Sequence, residues 1–447
     1  MPIEDLLKNV VGVTGRSPVL FQEDSIHEEI IKCVGCGLCL PYCPTYREIG
    51  TEMASPRGRI ALAKEYFDGK LKITPRFAEH LYLCLECLAC ETACPSGVRF
   101  HRIMEPAREA IEKNLERPFW DRTVRDMVFK HIFPYPKRLQ LLAGFLRLYQ
   151  VSGLQWLVRK TGLLRSISES LEETEQMLPP IQPKALRESL KEVTPPLGGK
   201  KQYRVGFLSG CVMNLVFTPI NLATVRVLAR NGCEVITPRF QKCCGALHLH
   251  NGETDIARQM ARYNIDIFEK LQLDVLLVNS AGCGSALKEY GELLKDDSQY
   301  AQKASAFSQK VKDISEFLVE IDFIKPQGAV YRKVTYDDPC HLIHGQGIKF
   351  QPREILKSIP GLEVVELKES DWCCGSAGIY NVTHPELSMR LLDRKMAHVK
   401  ATGADLLATA NPGCILQLRW GAKRAGLKLD VVHIVELLDQ AYSKELG

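Results

Sequence analysis

Cys33-Val34-Gly35-Cys36-Gly37-Leu38-Cys39-Leu40-Pro41-Tyr42-Cys43-Pro44 is the stretch on which the reading of this chain turns. Its four cysteines recur as Cys84, Cys87, Cys90 and Cys94, each 51 positions later, and Pro95 again follows the last of them. Small residues between the first three cysteines let their thiols turn toward one point. Thiolates are soft donors, and a cysteine must lose its proton to bind, so the pattern points to a metal or a metal–sulfur cluster. A structural zinc ion needs only four ligands at pairwise spacing. Two tandem four-cysteine runs, each closed by proline, are more than that requires.

The C-x2-C-x2-C-x3-C-P spacing is the bacterial ferredoxin run, in which the fourth cysteine serves the other cluster. On that rule Cys33, Cys36, Cys39 and Cys94 hold one [4Fe–4S] cluster, and Cys84, Cys87, Cys90 and Cys43 hold the second. The fourth cysteine of each run is expected at the start of a helix. Ser25-Ile26-His27-Glu28 has the layout of a capping box opening a helix into Cys33. Ser55-Pro56-Arg57-Gly58-Arg59 places an N-cap and an N1 proline before a helix running to about Phe67. A helical ferredoxin-like domain over residues 1–120 is therefore expected, not a small β-rich one. Arg57 and Arg59 either bring positive charge to the clusters or are solvated helix-start residues.

The other nine of the 17 cysteines lie beyond residue 202. Cys211, the pair Cys243-Cys244 and Cys283 recur as Cys340, Cys373-Cys374 and Cys414 at offsets of 129 to 131. Cys233 stands outside the pattern and reads as a small buried residue at a strand entry. Tyr203–Leu208, Glu234–Thr237 and Asp274–Asn279 read as strands in the first unit. Lys333–Asp337, Glu363–Leu367 and Asp405–Ala410 take the same places in the second, with helices such as Asn221–Arg230 and Glu253–Lys270 between strands. The expectation is a duplicated α/β unit, residues 203–330 and 331–447. Cys211, Cys283, Cys340 and Cys414 each follow a strand's carboxyl end, where open α/β sheets place their sites. Gly245 and Gly375 after the vicinal pairs supply a permissive φ. Each four-cysteine set could hold an iron–sulfur cluster or zinc, or remain as thiols or a vicinal disulfide. His248, His250, His341 and His344 stand nearby as ligands, proton donors or plain hydrogen-bonding residues.

The duplicated pattern resembles the cysteine-rich CCG domain, found in heterodisulfide reductase and in the iron–sulfur subunits of glycolate, lactate and glycerol-3-phosphate dehydrogenases. A double-cluster ferredoxin followed by two such domains looks most like the glycolate oxidase iron–sulfur subunit family, and the resemblance covers nearly the whole chain. Trp372-Cys373-Cys374-Gly375-Ser376-Ala377-Gly378 and Cys94-Pro95-Ser96-Gly97-Val98 carry it further. It implies an electron-transfer subunit of an oxidoreductase complex. A partner flavoprotein would oxidise a 2-hydroxy acid, glycolate to glyoxylate first among them, and electrons would pass to an acceptor such as quinone. D-lactate or glycerol-3-phosphate oxidation, or a heterodisulfide-type thiol reductase, are the alternatives. One departure bears on the last. The heterodisulfide version ends each unit in Cys-x2-Cys and can hold a noncubane cluster through five thiolates, whereas Ala286 and Gln417 stand at those positions here.

Composition agrees with a multidomain globular protein: 447 residues, 45% hydrophobic and 25% charged. A net charge of +5 is too small to imply a nucleic-acid partner. Met1-Pro2-Ile3-Glu4-Asp5 lacks the layout of a secretory leader, and no stretch approaches 18 uninterrupted apolar residues. The expected location is cytoplasmic, either free or peripheral on the cytoplasmic face of a membrane. No Gly-x-Gly-x-x-Gly follows a strand, so substrate oxidation and its catalytic residues are expected on another chain. Residues 121–202 form the middle segment. Their first half reads as helical with a break at Pro134-Tyr135-Pro136. Their second half, 166–202, is charged and proline-rich and reads as a linker. Residues 137–160 mix leucines, aromatics and basic residues, a composition suited to a partner subunit or a membrane surface.

Overall fold

Hydroxyl residues and prolines set where the N-terminal helices begin. Ser55 Oγ accepts from the amide of Gly58 at 3.0 Å, and Pro56 opens the helix Pro56–Phe67. Thr74 does the same for Pro75–Tyr82. These helices pack with Leu20–Ile31 and His101–Asn114 around Ile30, Ile60, Phe77, Leu81, Ile103 and Ile111. The computed structural model describes residues 20–166, 169–199 and 201–445, and among them no strand precedes Val193. The N-terminal unit is thus a helical, ferredoxin-like domain. Two local expectations differ. The helix Leu20–Ile31 already contains Ser25, which therefore does not cap it. Cys43 stands at the start of the helix Pro44–Ile49, but Cys94 does not begin a helix. It follows the single turn Ala89–Thr92 and enters a bend at Gly97, where φ is 67°.

The C-terminal half contains two sheets of one design. In the first, strands β1 (Val193–Thr194), β2 (Tyr203–Phe207), β3 (Cys233–Ile236), β4 (Val275–Val278) and β5 (Val311–Asp313) lie in the order β1-β3-β2-β4-β5. In the second, β6 (Arg332–Tyr336), β7 (Leu362–Val365), β8 (Leu406–Thr409) and β9 (Asp430–His433) lie in the order β7-β6-β8-β9. The orders β3-β2-β4-β5 and β7-β6-β8-β9 are the same, and all of these pairs are parallel. The duplication seen in the cysteines is therefore a duplication of topology. β4 and β8 are buried along their whole length, as parallel central strands require. Cys233, the cysteine outside the pattern, opens β3 and is fully buried.

Both halves share one hydrophobic core. Val205, Phe207 and Leu277 of the first sheet join Val334, Leu407 and Val431 of the second. The helix Thr218–Arg230 packs against the C-terminal helix Ile434–Ser443, and Arg226 and Arg230 pair with Asp439 and Glu445 across that contact. His433 closes the seam. Its Nδ1 accepts from the amide of Val435 at 3.2 Å, so its Nε2–H donates to Asn279 O at 3.0 Å. Burial lowers the pKa of His433 to about 4, which keeps the ring neutral.

The middle segment wraps this core. A π-helical turn, Met127–Ile132, precedes the break at Pro134-Tyr135-Pro136, and the helices Pro136–Val151 and Leu154–Thr161 follow. The proline-rich stretch 166–202, expected as a linker, is packed instead. Ile181 belongs to the main core, Gln182 donates its amide to Leu215 O at 3.0 Å, and β1 pairs antiparallel with β3. Its prolines shape an extended path whose backbone groups find partners on neighbouring elements.

Arg108 fixes the N-terminal unit to the rest. Its guanidinium lies 3.0 Å from Glu86 Oε2 and donates to Cys84 O and His250 O at 2.6 Å and to Leu81 O at 3.1 Å. Gly252 makes the approach possible, since a Cβ there would fall 2.5 Å from Arg108 O. Removing one partner of a buried ion pair strands the other charge. Arg108→Ala is expected to lower stability by about 3–5 kcal/mol, read as a shift in the denaturant midpoint. Arg108→Lys should not restore it, because one ammonium cannot span this set of acceptors.

Candidate functional site

Two cavities open in the N-terminal unit, and each gathers one crossed set of four cysteines. Cys33, Cys36, Cys39 and Cys94 line the first, with Cys90 also on its wall. Cys43, Cys84, Cys87 and Cys90 line the second. The remaining walls are largely apolar, with Ile60 and Val98 in the first, Leu85 and Leu88 in the second, and Phe100 in both. The first lies at the surface: Cys36 is exposed, and so are its neighbours Ile31, Val34, Leu38 and Tyr42. The second is covered, with Cys43 and Cys87 buried.

Burial and neighbouring thiols push Cys87 and Cys90 well above the ordinary cysteine range, and burial pushes Cys39 up to about 11. Without a metal these sulfurs are held as neutral thiols, and a metal must displace their protons to bind. Four soft donors around a small apolar hollow fit an iron–sulfur cluster. Arg59 is fully buried beside the second cavity. It donates to His80 O at 3.0 Å and Thr45 Oγ1 at 2.9 Å, and its Nη1 lies 4.0 Å from Cys43 Sγ. It is a fixed cation, not a solvated one. Arg57 is spent on a bidentate pair with Glu52 and on Gly35 O at 3.0 Å.

In the duplicated half the chain order reverses between β2 and β4, and between β6 and β8. That reversal opens a crevice at the carboxyl ends of the strands. Cys211 and Cys340 begin the helices that leave β2 and β6, and Cys283 and Cys414 lie in the first turns after β4 and β8. The vicinal pairs arrive from beside them, after β3 and β7. Cys211 and Cys243 sulfurs are 3.5 Å apart, and those of Cys244 and Cys283 are 3.2 Å apart. Cys340 pairs with Cys373, and Cys374 with Cys414, in the same way. Within each row thiols share protons. Hydrogen bonding, with Cys211 as donor first and Cys244 beside it, holds Cys243 well below the ordinary range while those two are pushed well above it. Gly245 and Gly375 turn the chain with φ of 86° and 88°, and a Cβ at Gly375 would meet Ser388 O at 2.6 Å.

The two units differ in charge. Asn264 and Lys395 occupy matching places, 131 residues apart, in the helices Thr254–Glu269 and Pro385–Thr402. Asn264 donates to Cys243 O at 3.1 Å. Lys395 is buried and pairs with Asp337 at 2.8 Å while donating to Glu369 O and Ser370 O. Burial opposes its charge, but Asp337 and the thiols Cys373 and Cys374 raise its pKa. The second site therefore carries a buried ion pair, Lys395 with Asp337, where the first has a neutral amide at Asn264. Repeat alignment at the cysteine offset would have found Lys395.

The place of the absent fifth cysteine is filled. Gln417 is buried, donates to Ser388 Oγ at 2.9 Å and accepts from Asn381 Nδ2 at 3.1 Å, and Ala286 lines a junction cavity. His341 Nδ1 is 3.4 Å from Cys340 Sγ, and His250 Nδ1 is 2.6 Å from Glu86. His344 bonds to Thr92 Oγ1, and His248 to Phe129 O on the π-helical turn.

The four cysteine sets adjoin in series. Leu85 and Cys87 share an apolar cluster with Trp372, Cys373 and Tyr380, and Tyr380 donates to Leu83 O at 3.0 Å. The second N-terminal cavity thus abuts the second C-terminal site. Asn411 joins that site to the first unit, since its Nδ2 donates to Cys414 Sγ at 3.5 Å and its Oδ1 accepts from the amide of Gly282 at 3.2 Å. Where the three units meet lies a cavity of about 270 Å³ with Glu91, Arg99, His101, Glu105 and Glu289 on its walls. His101 sits 2.8 Å from Glu91 and 3.8 Å from Glu289. Burial opposes its charge, yet these two carboxylates raise its pKa well above the ordinary value. None of this junction was legible in the sequence.

Comparison with known proteins gives a consistent picture. A family model for a 4Fe–4S dicluster domain matches residues 29–98, and one for the linker region of the glycolate oxidase iron–sulfur subunit matches 120–178. The cysteine-rich CCG domain matches twice, at 205–288 and 334–419. A probable glycolate oxidase iron–sulfur subunit of Bacillus subtilis is 44% identical, over 94% of this chain and 96% of its own. The glycolate oxidase iron–sulfur subunit of Escherichia coli is 34% identical over 92% and 94%. A subunit of the fumarate reductase (CoM/CoB) from Methanothermobacter marburgensis is 32% identical over 92% of this chain and 72% of that one. The crystal structure of a hypothetical protein from Helicobacter pylori shares the fold, with a TM-score of 0.51 over 98% of this chain and 75% of that one, at 11% identity.

Glu105 makes the junction sensitive to pH. Burial raises its pKa from 4.5 to about 7, against the pull of His101. The folded protein keeps this proton up to about pH 7, whereas the unfolded chain releases it near 4.5, so stability falls as pH rises through that window. The loss amounts to about 3 kcal/mol. Glu105→Gln is expected to flatten the dependence between pH 4.5 and 7, as read by denaturant unfolding at a series of pH values.

Proposed function

The chain belongs to the glycolate oxidase iron–sulfur subunit family, and from that premise we propose that it carries electrons away from a flavoprotein subunit that oxidises glycolate to glyoxylate. An iron–sulfur electron-transfer role within an oxidoreductase complex is what its relatives share. The finer assignment rests on the identity to subunits named for glycolate over nearly the whole chain. The single observation that carries the relay is the serial contact of the cysteine sets, from exposed Cys36 through buried Cys87 to Cys340.

In this reading Cys33, Cys36, Cys39 and Cys94 hold one [4Fe–4S] cluster, and Cys43, Cys84, Cys87 and Cys90 a second. Bound clusters supply one-electron carriers. Glycolate gives up two electrons and two protons at the flavin, and the electrons leave singly through this chain to an acceptor such as quinone. The protein's part is placement and charge. The apolar rim of Ile31, Val34, Leu38 and Tyr42 around Cys36 suits a flavoprotein docking where the first cavity opens. Arg59 stabilises added negative charge at the second cavity, and Lys395 does so at the set Cys340, Cys373, Cys374 and Cys414. That set is the better candidate for a further cluster, and Cys211, Cys243, Cys244 and Cys283 the better candidate for zinc or free thiols.

Anaerobic purification with the native partner, followed by addition of glycolate, tests the assignment. Glycolate is expected to bleach the cluster absorbance, while D-lactate and glycerol-3-phosphate leave it unchanged; bleaching by D-lactate alone would replace glycolate as the substrate. Iron analysis should give about eight atoms per chain for the N-terminal clusters and more only if the duplicated half is loaded. Val34→Asp with Leu38→Asp is expected to slow reduction by the flavoprotein roughly tenfold or more with iron content unchanged.

A further inference from the structure

Charge is unevenly distributed along this chain. Residues 127–166 contain no aspartate or glutamate, yet they include Lys130, Lys137, Arg138, Arg147, Arg159, Lys160 and Arg165. The whole chain has a net charge of only +5, so the remainder is slightly acidic. Lys130 and Arg159 are spent on Asp126 and Glu175. Among the described residues, no ion pair involves Lys137, Arg138, Lys160 or Arg165.

The helix Pro136–Val151 is apolar on both sides. Leu139, Ala143 and Leu146 face the main core. Leu141, Phe145, Leu148 and Val151, spaced four, three and three residues apart, form the opposite stripe, each more than 60% exposed. A surface helix with one buried side ordinarily turns polar residues outward. The next helix, Leu154–Thr161, continues the pattern with Leu154, Trp156 and Leu157 exposed, and it packs against the first.

We propose that this outward face of the helices Pro136–Val151 and Leu154–Thr161 seats the protein on an anionic lipid surface. Charge complementarity and the mixing of residue types select lipid over a protein partner. A protein interface is depleted of lysine at its centre, whereas Lys137 and Lys160 both lie in this face. Here cations stand among the apolar residues: Arg138 lies 4.3 Å over the Tyr135 ring, and Lys160 lies 4.6 Å over the Trp156 ring. An aromatic ring with a long basic chain at the same level suits the membrane–water boundary, where the ring reaches the acyl edge and the cation stays with phosphate. Among the described residues no helix is long and apolar enough to cross a membrane, so the attachment is interfacial. It would bring the cysteine relay to a lipid-soluble acceptor without a spanning segment.

Flotation of the full, cluster-loaded chain with vesicles tests the proposal. The chain is expected to float with phosphatidylcholine vesicles containing phosphatidylglycerol, far less with phosphatidylcholine alone, and less as salt is raised. Lys137→Gln with Arg138→Gln should weaken partition roughly 25-fold, about fivefold per cation removed. Leu141→Asp with Phe145→Asp should abolish flotation while the cluster absorbance is unchanged. Failure of the native chain to float on the anionic vesicles at low salt would overturn the proposal. So would loss of flavoprotein co-purification in the Leu141/Phe145 variant with flotation intact, which would give the face to the partner subunit.

Discussion

The buried guanidinium of Arg108 is the joint on which the arrangement depends. A ferredoxin-like unit and a pair of α/β units could each fold around their own cores. A relay needs their cysteine sets held in contact. Arg108 provides this by meeting three carbonyls and one carboxylate, drawn from the N-terminal unit and from the loop at His250. Burial alone would force Glu86 to keep its proton, but Arg108 and His250 outweigh it and hold the carboxylate ionised. Each charge is tolerable only because the other is there.

Around that joint, duplication has been put to unequal use. The two sheets share strand order, crevice and cysteine placement, yet Lys395 in one unit answers to Asn264 in the other. The Lys395 ammonium favours negative charge beside Cys373 and Cys374, and its Asp337 partner offsets part of that field. The site so favoured is also the one that touches the ferredoxin-like unit through Trp372 and Tyr380. Electrical bias and proximity fall on the same copy. The other copy meets the relay through Asn411, through the seam around Ala281 and Ala410, and at the junction through His250 and Glu289.

Features set by short-range spacing could be read from the chain. The helix cap at Ser55, six parallel strands and the repeat itself are local patterns, and they stand in the structure within a residue or two. The short strands β5 and β9 escaped because Val311-Lys312-Asp313 and Asp430-Val431-Val432-His433 are brief and end or begin on charged or polar residues. The stretch 166–202 looked like a linker because its composition is polar, while its packing is settled by distant partners such as Leu215. Arg108, His101, Glu105 and Glu289 carry no local signal at all. Their meaning lies in tertiary contacts, Arg108 with Glu86 and His250 and His101 with Glu91 and Glu289, which composition and periodicity do not register.

The cover over Cys87 has a consequence for how such a protein is made. In the finished fold Trp372, Tyr380 and Leu391 pack against Leu85 and Cys87 and cover that side of the second cavity. Synthesis runs from the N-terminus, so Cys43, Cys84, Cys87 and Cys90 leave the ribosome long before Trp372 does. The helical unit has its own core by then and stands open. A cofactor held by Cys43, Cys84, Cys87 and Cys90 would find its shortest way in during that interval, before the later half of the chain packs against Leu85 and Cys87.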